Sequence, residues 1–375
     1  MKPLLPFFLS LLLFPVQLLA QLSAEDEAFI LSFMEENKVP GISVAIVEQG
    51  KIIYAKAFGV ADQKTGEKLT PQTLFQAASI SKPFTGLLYM RKAQQETLDL
   101  DVPINQYLED WTLPGYKRDP EQVATARLLL AHQGGTNMSG FLGWRQTRKR
   151  VPDLDEVLRG KKVHLWERRI YTKYPLNTRF AYSGGGYSVL EKAICQRFDT
   201  TFQALMREEI FEPCGMQESF FSIRLTPEQE ERISSGHRKN GKLIKGSYHV
   251  YPQQAAAGLW TTPSDLVRML SAVQASLKGE QEKPFLAPEM TQQLPQRLPL
   301  ESGSLGRYNL GFQLTTDGED ELLAFGHGGA NWGFSCFMYG HISNGKAVAI
   351  MSNRNSLSLW PVLNRINAAI KFDQP

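Results

Sequence analysis

The sequence predicts an α+β fold, in which a mainly antiparallel sheet built from N- and C-terminal strands is flanked by helices and interrupted by a mostly helical lobe. Three observations lead there. Strand-like patterns gather near the two ends of the chain, helix-period patterns fill the middle, and strands and helices never alternate in the regular way that a doubly wound parallel sheet requires.

Residues 1–20 differ in kind from the rest. Met1 and Lys2 supply a small positive region, Leu4 to Leu19 is mostly apolar, and Ala20 precedes a polar stretch. This is the pattern of a secretory leader cut near Ala20, so the mature chain is expected to be exported, to a periplasm or outside the cell. A membrane would touch the protein only through that leader if it stayed uncleaved. The remainder, 21–375, reads as one domain of two lobes. An α/β lobe takes about 25–100 and 305–375, and a helical lobe about 101–304, with no linker-like composition between them.

Ala28 to Glu36 has helical spacing. Ile42 to Val47 and Ile52 to Phe58 then read as strands joined through Gly50, a hairpin. Helical patterns follow at Ser79 to Gln95, Val123 to Ala131, Tyr187 to Phe198, Phe202 to Ile210 and Pro263 to Leu277. Tyr308 to Leu314, Leu322 to Phe325, Phe334 to Tyr339 and Lys346 to Ser352 are strand-like, the last two joined across Ser343-Asn344-Gly345, and Leu359 to Phe372 is helical.

Composition narrows the function. The 41 basic side chains less Lys2 leave 40 against 38 acidic ones, a balance that predicts no nucleic-acid partner. The basic run Arg145 to Arg150 is interleaved downstream with Asp153, Asp155 and Glu156 and reads as a solvated helical face. Cys195, Cys214 and Cys336 lie in apolar surroundings without C-x-x-C spacing and are expected to be buried thiols. The 6 histidines lack metal-ligand spacing, and no phosphate loop, dinucleotide fingerprint or Gly-x-Ser-x-Gly elbow occurs. No metal and no cofactor are expected.

Chemistry enters at Ser79-Ile80-Ser81-Lys82, with Pro83 fitting an early helical turn. In a helix starting at Ser79, the hydroxyl and the amine share a face one turn apart. A serine attacks only when something takes its proton, and a lysine does so only when neutral, which requires a closed, low-dielectric site. The spacing alone is equally that of an N-cap and a surface lysine, and it recurs at Ser343 to Lys346 in a hairpin.

Serine, two variable residues and lysine form the first signature of β-lactamases and penicillin-binding proteins. The chain resembles the class C β-lactamase and D-Ala-D-Ala carboxypeptidase branch over nearly all its mature length. Phe75 to Pro83, Leu128 to Gly135 and Ala256 to Leu266 are similar to that branch's stretches in the same order. The resemblance implies Ser79 as acylated nucleophile, Lys82 as its base and Tyr182, in Tyr182-Ser183-Gly184, as a proton-handling phenol. It also places His327 on a strand lining the site, with the backbone N–H groups of Ser79 and Ala330 as an oxyanion hole, and Gly328 and Gly329 letting that backbone approach the substrate. Two departures stand out: Gly184 replaces an Asn, and Gly328 replaces a Thr that would bind a carboxylate. A Gly-Gly ending of this kind is similar to carboxylesterases built on the same fold. His132, Trp144 and Trp332 read as structural.

The expected function is therefore an exported serine hydrolase that forms an acyl-enzyme from a small-molecule or peptide ester or amide, as an esterase or D-amino-acid-type peptidase. A β-lactamase proper and a non-catalytic binding module stand as alternatives.

Overall fold

Strand β1 (Gly41–Glu48) is buried at every position up to Val47, and its alternation decides which layer each side chain joins. Ile42, Val44 and Ile46 project to one face, against helices α1 (Ala24–Glu36) and α5 (Trp360–Ile370). Ala45 and Val47 project to the other, into a larger core shared with α2 (Ser81–Gln94) and α4 (Pro263–Lys278). A two-residue side-chain period with helices on both faces accounts for a strand with almost no polar residue.

The computed structural model describes residues 22–279 and 284–374. The expected leader, 1–20, lies outside them. After β1 come β2 (Lys51–Asp62) and β3 (Glu67–Lys68). Near the end of the chain follow β4 (Tyr308–Asn309), β5 (Phe312–Thr316), β6 (Leu322–Asn331), β7 (Phe334–His341) and β8 (Lys346–Ser352). These form one sheet of 8 strands in the order β3-β2-β1-β8-β7-β6-β5-β4. Every neighbouring pair is antiparallel, and Ile42 to Glu48 of β1 pairs with Ser352 back to Lys346 of β8, which seams the two ends of the chain together. The α+β architecture expected from the sequence is the one observed.

Between the two parts of the sheet run α2, α3 (Gly184–Arg197), α4 and several shorter helices, with a small sheet of Phe75–Gln76, Leu259–Thr261 and Phe220–Phe221. Helix α4 is capped by Thr262, whose hydroxyl accepts from Asp265 N–H. It ends on Gly279 in the left-handed region, and it buries Leu266, Met269, Leu270 and Val273 along one stripe. Among the described residues no helix is long and apolar enough to cross a membrane.

Three expectations need correction. Helix α1 starts at Ala24, earlier than its apolar spacing suggested, because Ser23 and Asp26 form a capping box. Strand β6 runs on to Asn331, so the glycine-rich 326–329 stretch is extended chain. The basic run 145–150 is not a helical face: Trp144–Arg145 is a short strand paired with His249–Val250, and the next helix begins only at Leu154. The three cysteines are free thiols, with Cys214 and Cys336 buried and Cys195 half-buried.

Candidate active site

The short strand Phe75–Gln76 leads the chain into a sharp bend, where Ala78 adopts φ +52°. Ser79 consequently lies in a 3-10 turn, Ala78–Ile80, and α2 starts two residues later than expected. The turn is held from beneath by Ser81, whose hydroxyl donates to Ala78 O at 2.7 Å and accepts from Leu259 N–H at 3.0 Å. Helical continuity still stacks Lys82 under Ser79, with 3.0 Å between Nζ and Oγ.

Lys82 is 2% exposed, and its amine donates to Ala256 O at 2.8 Å. Burial lowers its pKa from 10.5 to about 7. A shift of that size is on the order of 5 kcal/mol of lost solvation. Near neutrality about half of these amines are uncharged, with one N–H on Ala256 O and the lone pair open to the Ser79 proton.

Tyr182 leans on the same amine, its ring centroid 4.9 Å from Nζ. Burial raises its phenol to about 12, while contact with the Ser79 hydroxyl opposes the rise. The phenol therefore keeps its proton at neutral pH, so of the two candidate bases only Lys82 is available.

His132 fixes Tyr182 in place. Its Nδ1 accepts from the backbone N–H of Ser183 at 3.0 Å, and its ring lies 4.2 Å from that of Tyr182 and 4.4 Å from that of Tyr308. Burial first, then Lys82 and His327, hold this imidazole well below its ordinary pKa, so it is neutral.

His327 lines the cleft with Ser79 and Tyr182, but its nitrogens are engaged elsewhere. Nδ1 meets the carbonyl of Gly328, and Nε2 lies 2.8 Å from the Tyr308 hydroxyl. Burial, then the Lys82 charge, lowers its pKa to about 3, leaving it neutral. Tyr308 escaped the sequence reading, because a buried tyrosine in an apolar strand carries no local signal.

Gly329 is a glycine for a reason internal to the protein. A Cβ there would stand 2.2 Å from Ala77 O and 2.6 Å from Cys336 Sγ, so β6 lies directly against the backbone preceding the nucleophile turn. The expectation that both glycines serve substrate approach is thus revised. At Gly328 a Cβ would meet nothing nearer than Phe337 Cδ2, at 3.3 Å. At Gly184 an added Cβ would come within 3.1 Å of the Phe141 ring, which occupies the space a side chain there would use. Ala330 is exposed at the rim.

Ser79, Tyr182, His327, Gly329 and Ala330 thus share one cleft of about 440 Å³. Its far wall is apolar, formed by Phe337, Leu357, Leu359 and Trp360, and no lysine, arginine or carboxylate side chain lines it among the described residues. Nor do the described residues bring three metal-ligating side chains together anywhere.

The carbonyl under Lys82 is itself anchored. Glu191, on α3, accepts from Ala255 N–H at 2.9 Å, Thr85 donates to Ala255 O at 3.0 Å, and Asn331 donates to Ala257 O at 3.1 Å. Burial raises the Glu191 carboxyl to about 8, so it stays protonated in the folded chain between its ordinary 4.5 and that value. The unfolded chain releases that proton, so this contribution to stability is full below pH 4.5 and declines as pH rises to about 8. Glu191→Gln, uncharged throughout, is expected to remove the decline. Urea unfolding at pH 5 and pH 8 should show wild type losing more stability than the variant over that interval, by on the order of a few kcal/mol.

The chain belongs to the β-lactamase family, whose model matches residues 27–370. Among curated relatives it is similar to the protein flp of Staphylococcus aureus (strain MW2), 22% identical over 342 residues that cover 90% of this chain. The chain spans 64% of that relative's length. Among solved structures it is similar to the D-amino acid amidase of Ochrobactrum anthropi SV3, with TM-score 0.74, 20% identity and 92% and 98% of the two chains covered. It is likewise similar to EstCE1, a hydrolase with promiscuous acyltransferase activity, with TM-score 0.72, 18% identity and 93% and 100% covered. At these identities the structures establish the shared fold.

Proposed function

We propose that the protein is a serine hydrolase that transfers an acyl group to Ser79 from a neutral ester or amide and then to water. The observation that carries this reading is the buried Lys82 amine, 3.0 Å from Ser79 Oγ and with a pKa near 7. In the first step Ser79 passes its proton to Lys82 as Oγ bonds to the substrate carbonyl carbon. The carbonyl oxygen gains negative charge and is received by the backbone N–H groups of Ser79 and Ala330. Collapse breaks the bond to the leaving group, which takes a proton from Lys82 by way of the Tyr182 phenol. Water then repeats the sequence against the acyl-enzyme, with Lys82 again as base, and frees Ser79.

The walls suggest what the substrate lacks. A penicillin or a D-Ala-terminated peptide carries a carboxylate, and no lysine or arginine side chain lines this cleft to receive it, while burial keeps His327 neutral. An uncharged substrate with an apolar group against Phe337 and Trp360 fits better. An amidase and an acyl-transferring hydrolase among the fold's relatives agree with such chemistry.

A side-by-side screen of p-nitrophenyl butyrate, a D-amino-acid amide and nitrocefin tests this. Measurable turnover of the first or second, with slow or absent nitrocefin hydrolysis, is expected; rapid nitrocefin cleavage without the others would reverse the ranking. A binding module is separated by fluorophosphonate labelling, which the hydrolase reading requires and which must vanish in Ser79→Ala.

A further inference from the structure

A second cleft, of about 470 Å³, lies beyond the β6–β7 turn and shares no residue with the first. Two aromatic stacks face it. The Trp144 and His164 rings lie parallel, 3.8 Å and 10° apart, with Trp166 parallel to His164 in turn, and His249 stacks on Trp332 at 5.9 Å and 21°. The histidines are pinned by backbone carbonyls, His164 to Gly143 O at 3.0 Å and His249 to Leu142 O at 3.0 Å. Trp332 is 44% exposed, so it is not the core residue its sequence suggested.

The charged side chains lining this cleft are arginines. Arg145 and Arg148 both line it, Arg148 with its guanidinium 4.3 Å from the Trp144 ring centroid. No carboxylate side chain lines the cleft, and neither arginine forms a salt bridge among the described residues. The loop carrying them is braced by Arg224, which donates to the carbonyls of Gln146 at 2.9 Å and Arg148 at 2.8 Å. Two arginines thus reach a cleft whose nearest carboxylate, Glu167, lies behind its wall and accepts from Leu142 N–H at 3.3 Å.

The cleft is also tied to the nucleophile turn. Gln76, three residues before Ser79, donates to His249 O at 2.6 Å and accepts from Asn331 at 3.0 Å, while Trp332 N–H donates to the Tyr251 hydroxyl at 3.0 Å. Ala330 in the first cleft and Trp332 in the second are two residues apart, about 7 Å of extended chain.

We propose that this cleft is a binding site for a planar ring bearing a carboxylate, the ring against Trp332 and the anion on Arg145 and Arg148. Stacking and cation–π contacts supply the ring's affinity and a charge-assisted pair selects the acid. The site stands on its own geometry and does not depend on turnover at Ser79.

The test uses the full chain carrying Ser79→Ala, titrated with 1-naphthoate by calorimetry. Saturable one-to-one binding is expected, at least about tenfold weaker on adding Trp332→Ala or Arg148→Ala. The neutral 2-naphthalenemethanol and the non-planar cyclohexanecarboxylate are each expected to bind at least about tenfold more weakly than the naphthoate. Near-ultraviolet circular dichroism identifies any variant that misfolds, and Arg145→Ala then replaces it. Absence of saturable binding, affinity indifferent to these substitutions, or equal affinity for the alcohol would each overturn the proposal. Fluorophosphonate labelling of the unsubstituted chain reports separately on the hydrolase reading.

Discussion

Lys82→Met is expected to lower kcat for a short-chain p-nitrophenyl ester by about 10³–10⁴-fold, a loss at the upper end for removal of a general base. The methionine replaces a long, nearly unbranched side chain of similar volume in a site that is already desolvated, so the fold should persist and thermal denaturation should change little. No second base stands ready, since Tyr182 holds its proton to about 12 and His327 is engaged with Tyr308. In the wild type kcat/KM should climb with pH through about 7, because the reactive form is the neutral amine and protonation below that value removes it. A rate flat from pH 5 to 9, or a Lys82→Met variant with near-normal kcat, would show that another group takes the serine proton.

Gly329→Ala is expected to cost about 1–3 kcal/mol of stability and about a hundredfold in kcat/KM, one methyl group acting on both. The added carbon would sit 2.2 Å from Ala77 O, a backbone atom two residues before Ser79 that cannot rotate aside. The strand must move away from the nucleophile turn, carrying Ala330 with it. Gly328→Ala is the control: its nearest neighbour would be the edge of the Phe337 ring at 3.3 Å, which can shift, and both quantities should stay close to wild type. Thermal unfolding and ester kinetics on the pair measure the contrast; equal behaviour of the two variants would mean that the close approach at 329 carries no weight.

Much of the frame was legible because it is written in local pattern. The alternation of β1, the hairpin at Gly50, the Asn344-Gly345 turn and the stripe of α4 each follow from side-chain periods and turn chemistry that need no distant partner. The grouping of Ser79, Lys82, Tyr182 and His327 was legible only through ordered resemblance to a family, since the four lie on three separate segments. Errors fell where tertiary contacts overrule local preference. Ser79 bends out of its helix because Ala78 takes a left-handed conformation that Ser81 and Leu259 brace, and Arg145 joins a strand because Val250 pairs with its neighbour.

By itself, then, the sequence determined the α+β class, the order of its elements, and which hydroxyl and amine stand one helical turn apart, because each depends on neighbours in the chain. Only the folded structure decided that burial brings the amine's pKa down to about 7, that His327 answers to Tyr308, that Phe141 fills the space beside Gly184, and that a backbone oxygen forbids any side chain at 329. Those properties depend on which atoms displace water from a group, and the atoms that do so at Lys82 are contributed by residues a hundred or more positions away, such as Tyr182 and Ala256.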